Sequence, residues 1–144
     1  MRRLALFLCA FCLAIPAFAA DYAKPDRQEV FGDTTVHYSA ISSSYLQPEI
    51  ASAAGLIRSK NQGVLIIVAL KAGKPAVANI TGTVKDLTGR KLPLVFKQIA
   101  DQGAMDYIAQ FPIEQQETLT FDINVKAGDD ANSFSFDQEL FPGE

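Results

Sequence analysis

The sequence predicts an all-β protein: an antiparallel β-sandwich of about seven strands with one short helix at about residues 46–54. Apolar and polar residues alternate in most segments after residue 33, which is the pattern of a strand with one buried face. Gly, Pro and Asp turn residues recur at intervals of roughly ten residues. The connections are too short for helical crossovers, so neighbouring strands are expected to pair antiparallel. A small closed barrel is the alternative architecture.

The first nineteen residues have the three parts of a secretory signal peptide. Two arginines precede the apolar run Leu4–Ile15, and small residues at Ala17 and Ala19 complete a cleavage site. The apolar core, with about 15 residues, is shorter than the roughly 20 that cross a bilayer. We therefore expect cleavage after Ala19, export to the periplasm and no stable membrane span in the mature protein.

Composition limits the function of the mature chain. Both cysteines, Cys9 and Cys12, leave with the signal peptide, so no disulfide, thiol nucleophile or thiolate metal site is expected. Loss of Arg2 and Arg3 from the 13 basic side chains leaves 11 against 16 acidic ones, a net charge of −5. Because nucleic acids select basic surfaces, a nucleic-acid partner is not expected.

The remaining chain is interpreted as a polar, flexible lead over residues 20–29 and a single domain over residues 30–144. The central segment Gly63–Leu70 is apolar without alternation, which predicts a strand covered on both faces. The alternating segments predict six further strands, at residues 34–41, 76–86, 92–96, 105–111, 119–125 and 134–140.

One segment, Leu46–Gly55, departs from the strand pattern and predicts the helix. Pro48 suits a first helical position, either after a Gln47 cap or within a capping box that Ser44 begins. Gly55 suits a left-handed stop. Apolar residues at four-residue spacing form one narrow stripe, which is expected to cover the second face of Gly63–Leu70.

Few residues carry recognisable chemistry. His37 is the only histidine, with Asp33 four residues earlier, and together they are a candidate polar site for a small ligand or for hydrolysis. Met105 is the only methionine of the mature chain, so soft-ligand copper binding is not expected. We predict no catalytic residues, no metal site and no cofactor.

A block from the second predicted strand to the end of the helix connection is the part that folding explains least. Tyrosines and an arginine concentrate binding energy at protein interfaces, and several polar residues accompany them here. The candidate binding residues are Tyr38, Tyr45, Gln47, Glu49, Arg58, Lys60 and Asn61. The alternative is a helix that only covers one sheet, with Tyr45 packed and Arg58 in solvent.

The stretch VFGDTTVHYSAISSSYLQPEIASAAGLIRSKNQGVLIIVALK, with the later segments TFDINV and FSFDQELF, resembles a bacterial family designated domain of unknown function 4426. The resemblance covers nearly all of the mature chain. It implies a periplasmic, immunoglobulin-like domain from Gram-negative bacteria. It implies no activity, cofactor or catalytic residue.

These observations favour a non-enzymatic periplasmic module that binds another envelope protein through the helix and its flanking tyrosines. Two alternatives stay open. One is a small-ligand or hydrolytic site between sheet and helix around His37. The other is a homodimer with a structural role, formed through edge strands.

Overall fold

The computed structural model describes residues 27–101 and 103–142. The predicted signal peptide and residues 20–26 of the predicted lead lie outside these residues. The described part contains ten strands, one short α-helix and a 3-10 turn. The strands are β1 (Gln28–Phe31), β2 (Thr34–Ser42), β3 (Gln62–Lys71), β4 (Lys74–Pro75), β5 (Asn79–Lys85), β6 (Lys91–Leu94), β7 (Lys97–Asp101), β8 (Ala104–Pro112), β9 (Glu117–Ala127) and β10 (Asp130–Leu140). The 3-10 turn (Ser43–Tyr45) and helix α1 (Pro48–Ala53) lie between β2 and β3.

The strands form two antiparallel sheets that pack face to face. Sheet A has the order β1-β2-β3-β8-β7, with β4 added to the end of β3, and sheet B has the order β10-β9-β5-β6. This confirms the predicted all-β sandwich. The strand number exceeds the predicted seven because β1, β4 and β7 are short additions to longer neighbours. Strand β1 includes Gln28 and Glu29, which the sequence assigned to the lead.

The main core lies between the sheets and follows the period-two pattern of the sequence. Strand β9 directs four apolar side chains inward and all are buried: Leu119, Phe121, Ile123 and Val125. Strand β3 contributes Leu65, Ile67 and Ala69 from the opposite sheet. Burial of these side chains from both layers is the main source of the sandwich's stability.

A second, smaller core explains why β3 does not alternate. Ala51 and Ala54 of the α1 segment pack over Val64 of β3 and Ile108 of β8, on the outer face of sheet A. The expected position of the helix, on the second face of the central strand, is therefore confirmed. The helix covers the first half of β3, and Ile66 and Val68 further along the strand are only half-buried.

The helix is shorter than its predicted range of 46–54. Leu46 is extended (φ −68°, ψ 140°) because it ends the preceding 3-10 turn. Gln47 is the N-cap residue, without a side-chain cap hydrogen bond, and Pro48 is the first helical residue. At the other end Gly55 has φ +67°, and its N–H donates to the Ser52 carbonyl while the Leu56 N–H donates to the Ala51 carbonyl. This pair of bonds is a Schellman motif, which confirms Gly55 as the stop.

Along one side of the sandwich, β2 of sheet A lies over β10 of sheet B. We call this side the seam. Half-buried aromatic rings follow it: Tyr38 packs against Phe134 and Phe136, with ring centroids 5.0 and 4.4 Å apart. Arg27 crosses the seam, with its guanidinium 5.6 Å from the Phe136 ring and donating to the Asp137 carbonyl at 3.3 Å.

None of the helices in the described part of the chain is long and apolar enough to cross a membrane.

Candidate functional site

The seam opens into an apolar groove at the end of the sandwich that carries the helix. We call it the seam groove. Its volume is about 390 Å³. One wall is the end of β2 with the 3-10 turn, and the other is the end of β10. It is lined by Ala40, Ile41, Ser42, Tyr45, Glu139, Leu140, Phe141 and Pro142.

Two large side chains at this groove face solvent. Tyr45 is 70% exposed and Phe141 is 54% exposed. Tyrosine and phenylalanine lose little rotamer entropy on binding and bury a large area. Two such side chains on opposite walls of a groove form a surface that can hold an apolar side chain of another molecule.

The wall that carries Tyr45 is fixed by hydrogen bonds on either side of α1. The Ser43 hydroxyl, which is buried, donates to the Ser59 carbonyl and accepts from the Ser59 N–H, both at 2.9 Å. The Arg58 guanidinium donates to the Ser44 carbonyl at 2.7 Å. These bonds join the segment before the helix to the segment after it. They therefore fix the backbone on which Tyr45 stands.

Replacing Ser43 with alanine is expected to lower the free energy of unfolding by about 1–3 kcal/mol, because both bonds to Ser59 are lost in a buried position. Urea unfolding monitored by circular dichroism measures the change. Ser52→Ala, on the exposed face of the helix, is the control and is expected to change stability by less than about 0.5 kcal/mol. Equal effects of the two substitutions would show that the Ser43–Ser59 pair does not hold this loop.

Tyr38 lies apart from the other predicted binding residues. Its side chain faces the gap between the sheets and packs on the rings of β10, because it has the same inward parity as Val36 and Ala40 in β2. The pKa of the Tyr38 hydroxyl is raised, first by burial and then by the negative charge of Glu29, while Arg27 opposes the shift. Tyr38 is therefore a seam residue and does not line the seam groove.

The remaining predicted residues surround α1. Gln47 and Glu49 are exposed at its start, and Lys60 is exposed in the connection to β3. Asn61 is exposed too, but its backbone carbonyl accepts a hydrogen bond from the Ile113 N–H at 2.8 Å. The structure thus brings Tyr45 and Arg58 together at the 3-10 turn and spreads the others over the outer surface of the loop.

The alternative polar site around His37 is not assembled as a pair. His37 lies on the outer face of β2, opposite Val68 of β3. Asp33 lies in the β1–β2 turn, where its carbonyl accepts from the Ala72 N–H. Asp33 lines a separate, polar cavity of about 340 Å³ with Asp129 and Asp130. No hydrogen bond or ion pair joins the side chains of His37 and Asp33.

Metal ligands are not brought together in the described residues either. Within residues 27–101 and 103–142, no group of three or more His, Cys, Asp or Glu side chains is placed to hold a metal ion. Met105 faces the gap between the sheets, where the Gln98 amide lies 3.3 Å from its sulfur. His37 is on the opposite face of sheet A, so the two soft or borderline ligands do not share a site.

A charged cluster that the sequence did not predict lies near the end of β5. Arg90 pairs with Asp86 at 3.7 Å and with Glu114 at 3.4 Å. Burial, followed by the charges of Asp86 and Glu114, raises the pKa of Glu117. A hydrogen bond from the Thr88 hydroxyl lowers the pKa of Asp86. The bonds from Thr88 and Arg90 close the β5–β6 turn on the Asp86 carboxylate, so the cluster has a structural explanation.

Sequence reasoning also missed Phe141 and its neighbours as site residues. The signal was present, because Leu140 and Phe141 are two consecutive apolar residues at the end of an alternating strand. A strand with one buried face can direct only one of them inward. The other had to be exposed, and in the structure it is Phe141.

Comparison with known proteins gives the family and the fold. The family model "Domain of unknown function (DUF4426)" matches residues 28–143. The crystal structure of a DUF4426 family protein from Pseudomonas aeruginosa PAO1 is 51% identical, covering 82% of this chain and 96% of that one with a TM-score of 0.78. No curated protein matches the chain.

More distant structures share the fold alone. Copper-bound FetP, a variant from uropathogenic Escherichia coli strain F11, is 12% identical, with 82% of this chain and 95% of that chain covered and a TM-score of 0.61. A second FetP structure, of protein expressed in the periplasm of E. coli, gives the same values. The family match over residues 28–143 and the 51% identical relative agree with the resemblance seen in the sequence, and this chain belongs to the DUF4426 family.

Proposed function

We propose that this protein is a non-enzymatic binding module of the bacterial periplasm that holds another envelope protein in the seam groove. The observation that carries the proposal is the groove itself, with two exposed aromatic side chains, Tyr45 and Phe141, on opposite walls. The signal peptide predicted at residues 1–19 supports the periplasmic location.

The chemistry of the groove favours an apolar side chain on an extended segment of the partner. The floor includes Ala40 and Leu140, which are buried. The exposed rings of Tyr45 and Phe141 stand on either side of this floor, so an apolar side chain inserted between them would be covered on both sides.

This proposal revises the surface that the sequence predicted. Tyr45 and Arg58 stay in it, and Phe141 and Glu139 join them from the other end of the chain. Tyr38 leaves the contact surface, since its ring is engaged by Phe134 and Phe136.

In-cell photo-crosslinking tests the proposal in the native host. A photoreactive amino acid placed at residue 45, or in a second variant at residue 141, is expected to give the same dominant protein adduct. The control places it at Val77, which is 65% exposed at the opposite end of the sandwich, and should not give that adduct. The Phe141→Ala substitution should reduce the adduct from residue 45 by at least about tenfold.

Two results would contradict the proposal. One is an adduct from Val77 as abundant as the adduct from residue 45. The other is an adduct whose mass is that of two copies of this chain, which would identify the groove as a homodimer interface.

A further inference from the structure

Strand β10 has a long backbone edge that nothing in the described residues pairs with. It is the outermost strand of sheet B, bonded to β9 on one side only. Proteins protect such edges with short strands, with charged side chains, lysine above all, or with proline. The other outer strands follow this rule, since β1 and β6 have four residues and β7 has five, and β6 contains Pro93. Strand β10 has 11 residues and contains no lysine, arginine, proline or glycine.

The contact of Arg27 shows which backbone groups point outward. Its guanidinium donates to the carbonyl of Asp137 from the side away from β9. In a strand, the N–H and C=O of one residue point to the same side, and the side alternates along the chain. The outward backbone groups therefore belong to Ala131, Ser133, Ser135, Asp137 and Glu139.

The side chains of β10 divide by the same alternation. Phe134 and Phe136 face the seam and are only half-buried. Ser133, Ser135, Asp137 and Glu139 are exposed on the outer face of sheet B. A strand added along this edge would direct every second side chain onto the aromatic rings and the others beside the exposed serines and carboxylates.

We propose that β10 receives an extended segment of the partner protein as an additional strand of sheet B, with apolar residues facing the seam and basic residues on the outer face. This rests on the proposed function, because β10 ends at Leu140, which lines the seam groove. A segment paired with β10 therefore leads directly into that groove. A backbone N–H of the added segment takes the place of the Arg27 guanidinium as the donor to the Asp137 carbonyl.

Charge selects a basic partner segment over a second copy of this chain. Near the edge, the outer face carries three carboxylates, of Asp122, Asp137 and Glu139, against one basic side chain, that of Lys126 opposite Ala131. Asp122 is the neighbour of Ser135 across the β9 ladder. A second β10 would bring two more of these carboxylates and no basic side chain. Lysine or arginine at the outward positions gives opposite-charge pairs across the strands instead.

A proline substitution can block this edge without breaking the sheet. Ser135→Pro removes an outward N–H, which β9 does not use, and places a ring where the added strand would lie. Ser135→Ala is the matched control, because both substitutions lose the hydrogen bond from the Ser135 hydroxyl to Asp122. Ser133→Pro and Ser133→Ala form a second pair if the first proline variant does not fold.

The probe is a fluorescein-labelled, amidated nine-residue peptide in which valine and lysine alternate, and its twin has glutamate in place of lysine. Fluorescence anisotropy is expected to show binding of the lysine peptide, with the glutamate twin at least about tenfold weaker. Ser135→Pro is expected to weaken binding of the lysine peptide at least about tenfold relative to Ser135→Ala.

Equal binding of the lysine peptide by Ser135→Pro and Ser135→Ala would overturn strand addition. Equal binding of the lysine and glutamate peptides by the unmodified protein, or no binding of the lysine peptide to it, would overturn the proposal as well. A dimer that Ser135→Pro dissociates would overturn the choice of partner. The proposed function has a separate readout: an adduct from residue 45 that survives Ser135→Pro but is lost with Phe141→Ala would retain the groove and reject the added strand.

Discussion

Replacing Phe121 with alanine is expected to lower the free energy of unfolding by about 3–5 kcal/mol. The side chain is 0% exposed and lies in β9, at the centre of the main core. The ring of Phe111 from sheet A meets it edge-on at 5.1 Å, and the ring of Phe136 from β10 stacks on it at 4.9 Å. Alanine at this position loses both ring contacts and leaves a cavity between the sheets.

Urea unfolding followed by far-ultraviolet circular dichroism measures this change, since the chain has no tryptophan. Phe141→Ala is the matched control. It removes the same ring from an exposed position and is expected to change stability by no more than about 0.5 kcal/mol. Similar losses in the free energy of unfolding for Phe121→Ala and Phe141→Ala would show that both rings are buried. Phe141 could then not belong to an exposed binding surface.

The fold could be predicted where one strand contains its own pattern. Leu119, Phe121, Ile123 and Val125 alternate in the sequence and are all buried in β9. The uninterrupted run in β3 required a cover on its second face, and α1 supplies it over the first half of the strand. In both cases the order of apolar and polar residues within one strand determines which of its faces is buried. The prediction therefore did not require knowledge of distant residues.

The short strands could not be predicted because their pattern comes from their neighbours. Strand β1 has four residues and β4 has two, and each exists through hydrogen bonds to a longer strand. Strand β7 pairs with β8 through the turn at residue 103. Four or five residues contain too few alternations to distinguish a strand from a loop.

The candidate site was only partly predictable for a related reason. Tyr45 and Arg58 are close in sequence and share a loop whose two sides are hydrogen-bonded. Tyr38 is equally close in sequence, but strand parity directs it between the sheets. The second wall of the groove comes from Leu140 and Phe141, and only the packing of β10 beside β2 brings it there. A sequence pattern does not specify which two strand ends meet across a sandwich.

Gly82→Ala is the second substitution with a large expected effect, because the neighbouring strand β9 leaves no room for a methyl group at this glycine. A Cβ at residue 82 would lie 2.5 Å from the carbonyl oxygen of Asp122 and 2.8 Å from Cδ1 of Ile123. A backbone atom cannot turn away as a side chain can, so the two strands must separate. The expected loss in the free energy of unfolding is at least about 2 kcal/mol.

Thr81→Ala is the control for this substitution, because Thr81 is the exposed neighbour on the same strand and its loss should cost no more than about 0.5 kcal/mol. Hydrogen exchange adds a second readout. Asp122 lies on β9 between Gly82 and β10, so a displaced β9 should also reduce amide protection in β10. Equal stability of Gly82→Ala and Thr81→Ala would show that β5 and β9 have room for a methyl group. Lower stability of Gly82→Ala with unchanged amide protection in β10 would show that the displacement stops at β9. The strand proposed to receive the partner would then keep its structure when the centre of sheet B is disturbed.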